Sequence, residues 1–323
     1  MIDRRQLLAT LAALAALPQA VRAQGQSPRI LVGFPAGGSV DTTARRFAEF
    51  ARGKLGDPVL VEQRVGAGGR LAIGALKEAA PDGQTMLVSP SSMFTIYPHA
   101  YRKLAYNPAT DFIPAAPLAL STCGFGVGPM VPASVKTLAQ FADWAKANAD
   151  KAAYGSPAAG AMPHFLGNQF ERAAGLKLTH VPYRGAAPGM QDLMGGQIAS
   201  GCFSIGDFLP HVASGRVRVL GVTDAARSRF APDVPTFEEQ GYKGIVGVET
   251  YGIFVPARTP QAVVDKVAEV ARAAVREASV VEALGKLGFE PLSQASADYT
   301  RRLAAEREYW GPVVKASGFS SDD

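Results

Sequence analysis

The stretch Phe34-Pro35-Ala36-Gly37-Gly38-Ser39-Val40-Asp41 joins an apolar run of strand length to a helical pattern. Gly37 and Gly38 let the chain turn tightly, so successive amides at the helix start can point at one spot. A helix N-terminus leaves about four amide donors unpaired and carries roughly half a positive charge, which suits a carboxylate. The other reading is a plain glycine turn whose amides are capped by Ser39 or Asp41. Asp41, in the first turn, is expected to cap amides rather than meet an anion. Ser89-Pro90-Ser91-Ser92 follows a later strand in the equivalent position. Adjacent parallel strands deliver their C-terminal loops to one edge, so the two loops can converge on one pair of ligand oxygens. Ser-Ser is equally a helix cap.

Other routes to chemistry close quickly. Gly66-Ala67-Gly68-Gly69 lacks the Lys-Ser/Thr of a phosphate loop and has no G-x-G-x-x-G register, so it reads as a turn. His99, His164, His180 and His211 show no metal-ligand spacing, and no G-x-S-x-G elbow is present. No metal and no cofactor are expected. No Lys/Arg cluster is interleaved with aromatics, so no nucleic-acid partner is expected. A hydrolase would need Ser156 or Cys202 to meet His164 in space alone.

The elements that must position these loops alternate. Residues 29–34, 58–61 and 85–88 read as strands, and Val40, Ala44, Phe47, Ala48, Ala51 and Leu55 recur at helical spacing between the first two. Leu71 opens a second helix, ended by Pro81-Asp82-Gly83. This β-α-β-α-β order predicts a parallel sheet covered on both faces. Residues 90–117 carry Pro90, Pro98, Pro108, Pro114 and Pro117, too many for a regular element. A second alternating block follows. The fold class is therefore α/β, with two Rossmann-like lobes and a ligand cleft between them. The expected division is residues 24–123 and 223–323 in the first lobe and 124–222 in the second.

The ends and the composition set the compartment. Arg4 and Arg5, an apolar run over residues 7–17 and Val21-Arg22-Ala23 have the order of a signal peptide over residues 1–23. The run is shorter than the roughly 20 apolar residues of a membrane span. The Arg pair also fits the twin-arginine route. A periplasmic protein follows. Its removal takes three arginines and one aspartate, so the formal charge falls from +5 to +3. Cys123 and Cys202 sit in separate apolar runs and read as two buried thiols rather than a bridge.

These residues resemble a known family, the extracytoplasmic receptors of tripartite tricarboxylate transporters, or Bug receptors. The resemblance covers the mature chain. It is carried by residues 34–41, Val61-Glu62-Gln63-Arg64-Val65-Gly66-Ala67-Gly68-Gly69, Pro81-Asp82-Gly83-Gln84-Thr85 and Tyr154-Gly155-Ser156. His180-Val181-Pro182-Tyr183-Arg184-Gly185, Gly195-Gly196-Gln197 and Pro232-Asp233-Val234-Pro235-Thr236 continue it. It implies a type II-like periplasmic binding protein that captures a small organic carboxylate by domain closure, catalyses nothing and docks, as a monomer, on the transporter's membrane subunits. A receptor that signals to a sensor kinase would have the same pocket, and the sequence leaves that reading open.

The resemblance also implies the site. Phe34, Pro35, Gly37, Gly38 and Ser39 on one loop, with Ser89, Ser91 and Ser92 on the other, would hold the carboxylate. Phe34 would form an apolar wall. The second lobe would contribute Ser156, Gly160, Ala161, Cys202 and Phe203. Ala161 stands where the family commonly has a hydroxyl, Cys202-Phe203 where it has Phe-Asp, and Ala199 where it has Asp. A wall that loses a hydroxyl and a carboxylate leaves an ammonium group without a partner. The expectation is a non-amino-acid ligand with an apolar or aromatic body, or a dicarboxylate.

Overall fold

In the computed structural model, which describes residues 27–321, the first apolar run forms strand β1 (Arg29–Val32). Ile30, Leu31 and Val32 are all buried, so both faces of the strand need cover. Strands β2 (Leu60–Gln63) and β3 (Thr85–Pro90) flank β1 in parallel, with Ile30 opposite Val61 and Met86. Helix α1 (Ser39–Ala51) lays Val40, Ala44, Phe47 and Ala51 on one face with Ile30 and Val32. Helix α2 (Arg70–Lys77) lays Ala72, Ile73 and Leu76 on the other with Leu31. Helical and strand periodicities thus agree, and both faces are sealed.

The proline-rich stretch departs from the sequence expectation. It holds two short helices, α3 (Ser92–Thr95) and α4 (Tyr97–Ala100), and Pro114 and Pro117 lie inside the long strand β4 (Phe112–Val127). The partner of these prolines is β9 (Val248–Pro256), antiparallel to both β3 and β4. Its register with β4 shifts between Pro114 and Ala116 and again between Pro117 and Ala119. Those irregularities absorb the ladder donors that proline lacks.

Beyond the crossing, β4 continues into a second half of the sheet. It pairs there with β7 (Ser200–Ser204) and β8 (Arg218–Val222). β7 leads on through the parallel strands β5 (Ala153–Ser156) and β6 (Thr179–Pro182). The path is β2-β1-β3-β9-β4-β7-β5-β6, and β8 and β10 (Phe289–Pro291) pair with β4 off it. Helices α5 (Leu138–Ala147), α6 (Met162–Ala173), α7 (Ala186–Met194) and α8 (Ile205–Val212) lie in this second half. The chain then returns through α9 (Gln261–Ala274), α10 (Ala278–Lys286) and α11 (Ser296–Ser317), which pack on α1, β4 and β10. The result is the two-lobed α/β fold expected, with β4 common to both lobes.

Helix α8, which the sequence did not disclose, is seated by a close approach. A Cβ at Gly206 would lie 1.6 Å from the Leu287 carbonyl oxygen at the end of α10. Only glycine fits against that backbone. Gly206→Ala should cost about 3 kcal/mol, read as a lower midpoint in urea denaturation; an unchanged midpoint would show the α8 seat to be loose.

Candidate functional site

A cavity of about 420 Å³ lies where the two lobes meet. The β1–α1 loop forms one wall, from Phe34 to Val40. Ala158, Ala161, Pro188, Met190 and Met194 of the second lobe line the facing side, with Met93 of α3 beside them. The body of the cavity is therefore apolar, with polar groups at particular points.

The first of these is the start of α1. Its N-cap, Gly38, is extended (φ −74°, ψ 169°) and offers no side chain to cap the helix. The first ladder bond runs from the Thr42 amide to the Gly38 carbonyl at 2.9 Å. The amides of Ser39, Val40 and Asp41 precede it and have no acceptor among the described residues. Two of these residues, Ser39 and Val40, lie on the cavity wall with the positive end of a 13-residue helix. Asp41 is buried and turned away. It accepts from the Gly37 amide (2.9 Å), Arg45 Nε (2.9 Å) and Gln63 Nε2 (2.6 Å), which fixes the loop against β2. Burial works to raise its pKa, but the hydrogen bonds from Arg45, Gly37 and Gln63 outweigh it and hold the carboxyl below its usual 3.8.

The cavity floor is the sheet face where β4, β9 and β7 meet. Tyr251 stands opposite Ala119, Glu249 opposite Ser121, and Ser204 opposite Cys123, and side chains paired in this way share a face. Tyr251, Glu249, Ser121, Cys123 and Ser204 all line the cavity, and Asp207 of α8 joins them. Burial pushes both acids, Glu249 and Asp207, up to about 7. On the rim, exposed Arg184 has no hydrogen-bond or ion-pair partner among the described residues.

An anion-receptive helix start facing an apolar interlobe cavity is a binding geometry, and the known proteins this chain resembles agree. Residues 43–319 match the tripartite tricarboxylate transporter family receptor, TctC. The chain belongs to this receptor family. It is 31% identical to protein BugT of Bordetella pertussis over 297 residues, covering 90% of this chain and 89% of that one. Among solved structures it is similar to R. palustris Rpa4515 with adipate, at 26% identity and a TM-score of 0.86, covering 92% and 99% of the two chains. MatC from Rhodopseudomonas palustris with bound malate is 29% identical, with a TM-score of 0.83 and coverage of 90% and 99%. TctC receptors are periplasmic solute-binding proteins rather than enzymes, and they work with transporter membrane subunits. The signal peptide expected at residues 1–23 lies outside the described residues. Among the described residues no helix is long and apolar enough to cross a membrane.

In this receptor the structure brings Phe34, Pro35, Gly37, Gly38, Ser39 and Ala161 to the cavity, but not the other seven residues that the sequence singled out. Ser89, Ser91 and Ser92 are buried beneath it. Ser89 Oγ donates to the Pro90 carbonyl. The Ser92 amide (2.7 Å) and the hydroxyls of Ser92 (2.6 Å) and Ser91 (3.1 Å) all donate to the Glu249 carboxylate. The Ser91 amide bonds Thr250 O. The second loop therefore grips a carboxylate, but one belonging to the protein.

Ser156 lies in the core, 2.8 Å from His180 Nε2, and the ring of His180 stacks on His164 with centroids 3.8 Å apart. Burial pushes His164 and His180 down to about 3 and 4, so both are neutral. The Gly160 amide is held by His164 Nδ1 at 3.1 Å. Cys202 and Phe203 are fully buried, Phe203 packing with Met190, Leu193 and Phe208 under α7. Both cysteines are free and buried, and it is Cys123 that reaches the cavity.

One expectation is corrected. The second-lobe wall does not lack a carboxyl group, because α8 supplies Asp207. The argument against an ammonium-bearing ligand loses its premise. Sequence reasoning also missed Glu249 and Tyr251. The available signal was a lone acid within Val246-Gly247-Val248-Glu249-Thr250-Tyr251-Gly252-Ile253-Phe254, since an acid in a buried strand needs a partner.

Proposed function

We propose that this receptor captures a small organic carboxylate with an apolar body in the interlobe cavity and delivers it to the membrane subunits of a tripartite tricarboxylate-type transporter. The supporting observation is the set of unpaired amides at the start of α1, with Ser39 and Val40 on the wall of a largely apolar cavity. The ligand carboxylate would sit at this helix start, with Phe34 along its body and Arg184 at the rim. The lobes of residues 24–123 with 223–323 and of 124–222 would close over it. Two cross-lobe bonds support a defined docked state: the Met162 amide donates to Ser92 Oγ at 3.1 Å, and the Tyr101 hydroxyl to the Ala159 carbonyl at 3.0 Å.

The test is a thermal-shift screen of organic acids against their amides and alcohols, followed by calorimetry. An acid present at a hundred times its Kd should add about 2.7 kcal/mol of stability, while its neutral amide should add little. Equal stabilisation by acid and amide would reject the anion site. Small-angle scattering should show compaction at saturation, and genes for two membrane subunits beside this one would support delivery.

A further inference from the structure

We infer that Asp207 selects the far end of the ligand, so that this receptor takes a carboxylic acid carrying a hydrogen-bond donor, strongest as an ammonium group, away from its carboxylate. The inference rests on the carboxylate reading above and names the class of acid.

Glu249 and Asp207 share the cavity floor but differ in their surroundings. Glu249 accepts from one amide and two hydroxyls, so most of its acceptor positions are spent on the protein. It also occupies the donors of the Ser91–Ser92 loop, which leaves the start of α1, on the wall nearest the rim residue Arg184, as the anion station. Asp207 has no side-chain donor among the described residues. The Ser204 backbone lies beside it and favours the ionised form. The Ser204 hydroxyl, at the start of α8, is engaged with Ser121 Oγ at 2.6 Å. A carboxyl group can use about four lone-pair positions, so most of those on Asp207 remain open in a cavity it lines.

The plain alternative is that Asp207 merely serves the first turn of α8. A first-turn carboxylate at an open helix start is normally favoured as the anion. Here burial overrides the Ser204 backbone bond and pushes the group up to about 7. The ionised form lacks donors, and a donor on the ligand would supply one. A second carboxylate placed there would instead face Asp207 and Glu249 together. Between the two stations the lining is Met93, Ala158, Ala161, Met190 and Met194, which asks for an apolar spacer.

The experiment is calorimetry of the purified receptor at neutral pH with matched acids. A straight-chain set runs from propanoate to octanoate and a rigid set is built on benzoate. Each is offered unsubstituted and with a terminal hydroxyl, aminomethyl or amino group, or carboxylate. At the best length the ammonium-bearing acid should bind at least about tenfold more tightly than the unsubstituted one. The hydroxy acid should fall between them and the dicarboxylate should bind most weakly. Asp207→Asn should cut the ammonium advantage to below about threefold and strengthen the dicarboxylate. The wild-type ranking needs no variant. If the unsubstituted acid or the dicarboxylate binds best, this inference is overturned and the carboxylate reading stands. If no acid in either set binds, the carboxylate reading falls and takes this inference with it.

Discussion

A Ser39→Pro variant should bind its carboxylate roughly 10- to 100-fold more weakly than the wild type, while Ser39→Ala should stay within about threefold. Ser39 is the first residue of α1, where proline is tolerated because its missing amide is one the helix does not use. The preceding Gly38, at φ −74° and ψ 169°, already has the extended backbone that a following proline requires. The substitution therefore deletes one cavity-facing donor with little else disturbed. A hydrogen bond to a charged group contributes about 1.5–3 kcal/mol, which sets the expected loss. Ser39→Ala controls for the hydroxyl, which lies near Tyr251. Calorimetry on the three proteins decides the matter. Equal affinities would mean that the carboxylate sits elsewhere, and equal losses in both variants would assign the effect to the hydroxyl.

Glu249→Gln should markedly change how stability depends on pH. Burial raises the folded-state pKa of Glu249 to about 7, from a reference of 4.5, against the opposing hydrogen bonds from Ser92 and Ser91. Between those values the native protein holds a proton that the unfolded chain has released. The stabilisation is complete below 4.5, declines as pH rises, and is gone above about 7. The displacement corresponds to about 3 kcal/mol. Glutamine cannot titrate, so the variant should gain about that much relative to the wild type between about pH 5 and pH 9. Urea denaturation of both proteins at the two ends measures it. Asp207 contributes a slope of the same sign in both proteins and cancels in the comparison. A constant gap would place the Glu249 carboxyl in a more solvated setting than the one described.

Much of the scaffold was legible along the chain because its signals are local. The buried run at β1, the 3.6-residue spacing of Val40, Ala44, Phe47 and Ala51, and the glycine turn between them need no distant partner to be read. The β4 prolines misled because proline in a strand usually denies it; only the bulged register with β9, more than a hundred residues away, accommodates them. Strand β6 and helix α8 escaped for a similar reason. The 179–182 segment is short and half-exposed, and α8 carries Pro210 inside it.

The candidate site divides along the same line. The amino-acid order alone determined that a helix would begin after Gly38 with amides to spare, since helix starts are built from consecutive residues. It also determined family membership, and with it the two-lobed plan. Which of the two loops stays free for a ligand was decided only in three dimensions. Glu249 lies 157 residues from Ser92 and takes its amide and hydroxyl, while Asp207 reaches the cavity because Gly206 lets α8 press against Leu287. Hydrogen-bond donors are a shared resource in a folded chain, and their allocation depends on which acids the tertiary fold brings within reach.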